Sequence, residues 1–437
     1  MTINNNIFSI FSVVFFVVLI SGYVTEYSIL SLYLILYVLA FRHPIWMLIY
    51  FYFCGVLNIL NDEILQLPDI PIEPFFQLLL SSFYLASFLV SGSKSINRSI
   101  TITLLLLWIY LFLHSVTFSS MPTLSLLKSA SFIFTASAIF LSFHNLNNNY
   151  KRILYRIIFW SSYTLAMLSI FSHFTGTGYE VNGTGFQGIL NHPQVMGIYS
   201  GILFIFTIYL ISLNKDFFGN LIVLFLSIIA LTLIFMSDSR TGLLMAVIPG
   251  SILFLYLVKG SFSNRSYFLV LGFFVFLSYS LVNIFLEDLI TYLVKGSASD
   301  NFADIAFHSR GPLFLTMWSN IIQNPFTGIG FGVPSSNLYF RTENITTVAG
   351  IIVSYPTEKG IMYFAILEEL GLIGFIIFMA LLLSIVFRSL NRNIYGALLV
   401  LAVLASNITE ATFVSFGGGG LLFFVFFALG ANSIKQK

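Results

Sequence analysis

The sequence predicts an all-α protein, a polytopic transmembrane bundle of about twelve to fourteen helices with one long outer loop that contains short surface helices. Three observations predict it. The first is solvent preference. Of 437 residues, 58% are hydrophobic and 8% are charged, and the mean hydropathy is +0.95. A soluble domain is about a quarter charged. The second is run length: apolar stretches of about 20 residues, enough for an α-helix to cross the hydrocarbon core, recur between short polar breaks. The third is the sidedness of the few charges. An aromatic share of 17% suits helices that pack in lipid and anchor at its interface.

In chain order the runs fall near 6–22, 26–41, 44–60, 74–91, 100–118, 124–143, 153–174, 193–213, 218–236, 240–258, 266–286, 361–387, 393–408 and 413–431. The opening MTINNN carries no basic residue and no small-residue cleavage site follows. Residues 6–22 therefore read as a first membrane helix and not as a removed signal peptide. The second and thirteenth runs are short, and either suits a re-entrant segment. No internal repeat or low-complexity linker divides the chain, so residues 1–437 form a single integral membrane domain. The one cysteine, Cys54, lies in an apolar run, which excludes an internal disulfide and a cysteine-based metal site. GGGG at 417–420 reads as a close-packing or re-entrant segment, not as a nucleotide loop.

The charges test this order of helices. With both termini cytoplasmic, the inner side receives Arg42, Lys94, Arg98, Lys151, Arg152, Arg156, Lys215, Lys259, Arg265, Arg388, Arg392, Lys435 and Lys437. That is thirteen of the 19 basic residues, as the positive-inside rule requires. Of the 17 acidic residues only Asp216 falls inside. The outer side holds a Gly-rich loop at 174–192 and the longest loop, 287–360, which is rich in Gly, Pro, Asn and Ser. Loops of that length are functional or disordered. Residues 310–323 carry enough apolar anchors for a short helix at the membrane face.

Six cations break the inside rule: Lys128, Arg240, Lys295, Arg310, Arg341 and Lys359. Each taken alone suits a snorkelling cation or a surface ion pair. Lys128 lies inside an apolar run, where an ion must face the interior or snorkel. Gathered on one face, Arg and Lys suit an anionic group anchored in the outer leaflet, such as a lipid phosphate or diphosphate, because guanidinium binds phosphate bidentately. Glu358 precedes Lys359, and Glu368 with Glu369 follow on the next membrane helix. Adjacent helical residues project about 100° apart, so the pair is expected to face different surroundings. Near the outer side lie His114, His173, His192 and His308, none at metal-ligand spacing with another His or Cys, so neither a metal nor a cofactor is called for. His192 precedes Pro193 and suits a helix start. His308, two residues from Arg310, and Glu369 are the candidate general bases.

Four segments resemble the O-antigen polymerase and ligase superfamily: GFQGILNHPQVMGIY (185–199), SDSRTGLL (237–244), RGPLFLTMWSNIIQNPFTGIGFG (310–332) and ILEELGLIGF (366–375). The resemblance implies a metal-independent, all-helical glycosyltransferase that acts on undecaprenyl-diphosphate-linked sugars at the periplasmic face of the bacterial inner membrane. It further implies that Arg240 and Arg310 engage the lipid diphosphate, with Lys359 assisting and Arg341, His192 and Glu358 in support. Ligases of the family carry a His-Asn pair where this chain has Gly360 and Ile361, preceded by Glu358 and Lys359. That departure favours a polymerase over a ligase delivering finished glycan to lipid A core or protein. A chain-length regulator joins the lipid-linked oligosaccharide and membrane lipids among the partners implied, and nucleic acid does not. A flippase or transporter is disfavoured, because such proteins carry internal repeats and midplane charges, whereas the polar groups here gather at one face.

Overall fold

The computed structural model describes residues 26–61, 73–90, 98–179, 185–213, 217–261, 302–335, 346–348, 351–354, 359–414 and 419–435. Among them thirteen α-helices form the fold: α1 Glu26–Ala40, α2 Pro44–Leu57, α3 Glu73–Val90, α4 Arg98–Thr117, α5 Pro122–Asn145, α6 Asn148–Thr175, α7 Pro193–Leu213, α8 Phe217–Met236, α9 Arg240–Ser261, α10 Phe302–Gln323, α11 Met362–Arg392, α12 Ile394–Ser406 and α13 Gly420–Ala431. Twelve of the fourteen expected runs coincide with these helices. The runs at 6–22 and 266–286 lie outside the described residues. The expected surface helix at 310–323 belongs to α10, which begins at least eight residues earlier. The long loop also holds an antiparallel hairpin, β1 Thr346–Val348 and β2 Ile351–Ser354.

Local chemistry sets the helix ends. Pro44 opens α2 with His43 as its cap, the imidazole Nδ1 accepting from the Ile45 N–H. Asn147 caps α6 by accepting from Tyr150 N–H, and Gly176, at φ 78°, closes it in the left-handed conformation that glycine adopts without steric cost. Asn393 ends α11 and caps α12 at the same time, accepting from Tyr395 N–H.

Helix α13 (GLLFFVFFALGA) is apolar all round and all twelve of its residues are buried, as expected of a helix surrounded by protein. It packs against α2, α5, α7, α11 and α12. Gly55 of α2 lets it come close, since a Cβ there would stand 2.7 Å from the Leu422 nitrogen. Helices α5, α6, α7 and α11 are long and apolar enough to cross a membrane. The outer surfaces of α4, α8 and α11 expose large apolar side chains, among them Leu106, Phe112, Phe225, Phe235, Ile376 and Phe387. Such a belt requires lipid against it.

Contacts between distant segments sort to two ends. At one, Asn61 N–H bonds Ile189 C=O, Phe186 N–H bonds Met236 C=O, Ser120 N–H bonds Ile329 C=O and Met362 N–H bonds Asn407 C=O. At the other, the His43 ring packs at a tilt against Tyr150, and Asn432 and Ser433, just past α13, bond to α6 and α11. Every acidic side chain among those described, Asp238, Glu368, Glu369 and Glu410, lies at the first end. Arg42, Lys151, Arg152, Arg156, Arg388, Arg392 and Lys435 gather at the second. The charge sorting read from the sequence is therefore a property of the fold.

The cationic end is a clamp. Carbonyl oxygens at a helix C-terminus have no intrahelical donor and carry partial negative charge. Lys151 Nζ donates to Asn432 C=O at 2.7 Å, Arg392 Nε to Ser433 C=O at 2.5 Å and Asn393 Nδ2 to Ile434 C=O at 2.9 Å. Lys151 is 2% exposed, so its charge depends on that carbonyl. Ending the chain at Ala431 removes these acceptors, and each lost charged hydrogen bond costs about 1.5–3 kcal/mol. The truncated protein is expected to melt well below the full chain in detergent. An unchanged melting temperature would show that the clamp contributes nothing.

Candidate active site

The four segments singled out in the sequence pack in two pairs. In the first pair, the 185–193 segment lies against the turn between α8 and α9. A Cβ at Gly185 would stand 3.2 Å from the Ser237 carbonyl oxygen and one at Gly242 2.5 Å from the Gly197 carbonyl oxygen. The small residues thus draw the starts of α7 and α9 into backbone contact. The turn itself is tight, with Asp238 at φ 49°. Ser239 then caps α9, its Oγ accepting from Gly242 N–H at 3.2 Å. Arg240 is consequently the first residue of α9, where its guanidinium adds to the partial positive charge of the helix start.

The second pair is a clasp between residues 324–335 and α11. Helix α11 breaks at Gly371, whose φ 63° and ψ −174° are non-helical. The break strips helical donors from neighbouring carbonyls, and these must be satisfied elsewhere. The loop supplies them: Ile329 N–H bonds Glu368 C=O at 3.0 Å and Gly330 N–H bonds Glu369 C=O at 2.9 Å, while Leu372 N–H bonds Pro325 C=O at 2.8 Å. Tyr110 Oη donates to Leu370 C=O at 2.6 Å, and His114 Nε2 meets Thr327 C=O. Four polar groups beside the break thereby gain a partner from α4 or the loop.

Side chains complete the clasp. Lys359 Nζ lies 2.8 Å from Glu368 Oε2 and 3.0 Å from Glu369 Oε1. Asn320 Nδ2 donates to Glu368 Oε1 at 2.7 Å and Ser335 Oγ donates to Oε2 at 2.9 Å. Gly332 N–H donates to Glu369 Oε2 at 2.7 Å, and Lys128 Nζ to Gly332 C=O at 2.8 Å. The expectation that Glu368 and Glu369 face different surroundings is corrected here. Both reach one ammonium, because Lys359 precedes the helix and sits between their flexible side chains. Lys128 faces inward, one of the two courses open to it. Two cations and two carboxylates make the cluster neutral. Lys359, Glu368 and Glu369 are 4%, 0% and 3% exposed.

The other candidates are placed less closely together. His192 is exposed at the start of α7, where its Nδ1 accepts from Gln194 N–H at 3.1 Å. His308 and Arg310 lie on α10, whose side chains are described only from Leu313 onward. Arg341 and Glu358 lie outside the described residues. Four polar residues missed in the sequence lie at the same end of the bundle as Arg240. The Thr241 and Thr409 hydroxyls are 2.6 Å apart, and the Gln194 amide donates to Glu410 Oε1. The signal for Glu410 was available: it is an acid closing an apolar run on the face where the acids collect. The 406–410 turn joins the two pairs, since Met362 N–H bonds Asn407 C=O at 3.2 Å.

Fold and site define a class: a multi-pass membrane protein whose described acidic side chains and buried ion-pair cluster sit at one end of its bundle. Residues 225–379 match the family model Wzy_C, described as O-antigen ligase. That stretch, about a third of the chain, is what supports a likeness to the O-antigen polymerase and ligase superfamily. The matched stretch contains Arg240 and the clasp apart from Tyr110, His114 and Lys128. No curated protein matches the chain.

Proposed function

We propose that the protein is a polymerase that joins undecaprenyl-diphosphate-linked oligosaccharide units at the periplasmic face of the bacterial inner membrane. The observation that carries this reading is Arg240, held at the first residue of α9 by the Ser239 cap, within the stretch that matches the family. As the glycosidic bond breaks, its electron pair leaves with the diphosphate, and a fixed guanidinium with a helix start behind it stabilises that charge. Arg310 is assigned to the same diphosphate. His192, Arg341 and Glu358 are assigned supporting roles. His308 remains a base candidate from α10.

Lys359 and Glu369 are assigned to positioning. The neutral, buried clasp offers no net charge to a diphosphate, and both Glu369 oxygens are already engaged. The residues at 358–361 are Glu, Lys, Gly and Ile in place of the ligase His-Asn pair, which favours polymerase over ligase. The ligase remains the alternative, and one gel separates them. Loss of a polymerase leaves single-repeat glycan on core, and loss of a ligase leaves bare core.

Arg240→Ala should insert and fold normally while transfer falls by about 10²–10³-fold, the usual cost of losing one transition-state donor. In the native host the glycan ladder should collapse to a single repeat. A ladder of normal length would remove Arg240 from the mechanism.

A further inference from the structure

We propose that the lipid-facing side of α6, at the cationic end of the bundle, holds an anionic phospholipid, with Arg152 and Arg156 on its phosphate and Trp160 against its acyl chains. The inference is independent of the proposed transfer reaction. It starts from the two faces of α6. Lys151, Leu154, Tyr155 and Ile158 are buried, while Arg152, Arg156, Trp160, Met167, Phe171 and Phe174 are exposed. The exposed set recurs at the spacing of a single helical stripe. That stripe is apolar over most of its length and cationic at one end only.

Length places the two guanidinium groups. Residues 157–174 contain no Lys, Arg, Asp or Glu. At 1.5 Å per residue they run about 27 Å, close to the hydrocarbon thickness of a bilayer. Arg152 and Arg156 therefore emerge at headgroup level, one helical turn apart, with Cβ atoms about 6 Å from each other. Trp160, a turn further in, lies at the interface where tryptophan concentrates. Edge contacts with Phe159 and Tyr163, at ring distances of 5.3 and 5.9 Å, hold it there.

Among the described residues neither Arg152 nor Arg156 has a hydrogen bond or ion pair. The pair at the same spacing on α11 is engaged, Arg388 Nη2 meeting His144 Nδ1 at 3.3 Å and Arg392 Nε bonding Ser433 C=O. Like charges one turn apart repel, and an anion between them turns the repulsion into attraction. A phosphate diester fits, since each guanidinium can offer it two parallel N–H bonds. A net negative headgroup fits better than a zwitterionic one, whose ammonium would lie against the same cations.

The test follows Trp160 fluorescence in the full chain reconstituted into phosphatidylethanolamine vesicles, with phosphatidylglycerol carrying brominated acyl chains titrated in as quencher. The Trp160 signal is the difference between the parent and Trp160→Phe. Half-quenching is expected at a low phosphatidylglycerol fraction, whereas brominated phosphatidylethanolamine should quench only in proportion to its amount. Each cation near an anionic lipid contributes about fivefold. Arg152→Gln and Arg156→Gln should therefore each raise the half-quenching fraction about fivefold, and the double variant about 25-fold. Arg42→Gln, exposed on the α1–α2 turn at the same end, should change it little. Equal quenching by the two brominated lipids overturns the site, as does a double variant that titrates like the parent. A shift from Arg42→Gln as large as that from Arg152→Gln would show diffuse attraction to the whole cationic end, and it overturns the site too. Inorganic phosphate that raises the half-quenching fraction as much as the double variant does would make the free ion the occupant and overturn the lipid assignment.

Discussion

Replacing Lys359 by alanine is expected to destabilise the folded protein by about 3–5 kcal/mol, the usual cost of taking one partner from a buried charge pair. The Lys359 ammonium lies within 3.0 Å of both Glu368 and Glu369, and none of the three reaches solvent to any useful extent. Without it two carboxylates share a dry site with Lys128 alone. They must repel each other or take up a proton, and either course weakens the bonds to Asn320, Ser335 and Gly332. Unfolding in mixed detergent micelles measures the loss. A charge-balanced partner, Lys359→Met with Glu368→Gln, should recover most of it, because Glu369 then faces Lys128 without a competing carboxylate. Equal stability of Lys359→Ala and the parent would mean that the clasp does not hold the fold. Loss of activity from Lys359→Ala with stability intact would instead return Lys359 to the substrate.

Gly371→Ala is the second large effect. The backbone at φ 63° and ψ −174° lies in a region that is essentially reserved for glycine, at a cost of about 1–3 kcal/mol for any other residue. Space is also lacking. A Cβ there would stand 2.3 Å from the Phe326 carbonyl carbon and oxygen. Those atoms belong to backbone, so relief requires the loop to retreat and give up its three backbone–backbone hydrogen bonds to α11. The expected outcome is a total cost above about 3 kcal/mol, seen as loss of monodisperse protein after extraction. Gly250→Ala is the matched comparison, since a Cβ there meets nothing within 4 Å. In a helix interior that change is neutral or stabilising by about 0.5–1 kcal/mol. If the two variants extract and melt alike, the break at Gly371 is not a fixed feature.

Much of this fold was legible because membrane insertion is written in one dimension. Run length and hydropathy report each helix separately, and charge sorting reports which end each loop occupies. Twelve helices and the two charge faces followed from those alone. The site was less legible. Arg240 could be singled out as a cation on the wrong side, but its capping by Ser239 depends on a turn of positive φ at Asp238. Lys359 carried the same sequence signal as Arg240, yet it is consumed by two carboxylates. Sidedness cannot tell which partner a cation takes. The Glu368 and Glu369 error had a related source. Helical projection angles describe where a side chain starts, and three rotatable bonds decide where a carboxylate ends. Gln194 and Glu410 are 216 positions apart, and no local pattern marks them as partners.

The clasp has one further consequence. Ser335 Oγ and Lys359 Nζ bond the same oxygen, Glu368 Oε2, at 2.9 and 2.8 Å. The residues that bound the 336–358 span are therefore joined at a single atom. A segment anchored this way is a cassette: its two ends are fixed to each other whatever lies between. Doubling the length of such an insert costs only about 0.6 kcal/mol of closure entropy. Within that span β2 packs against α5, so an insertion is accommodated best where it spares that strand.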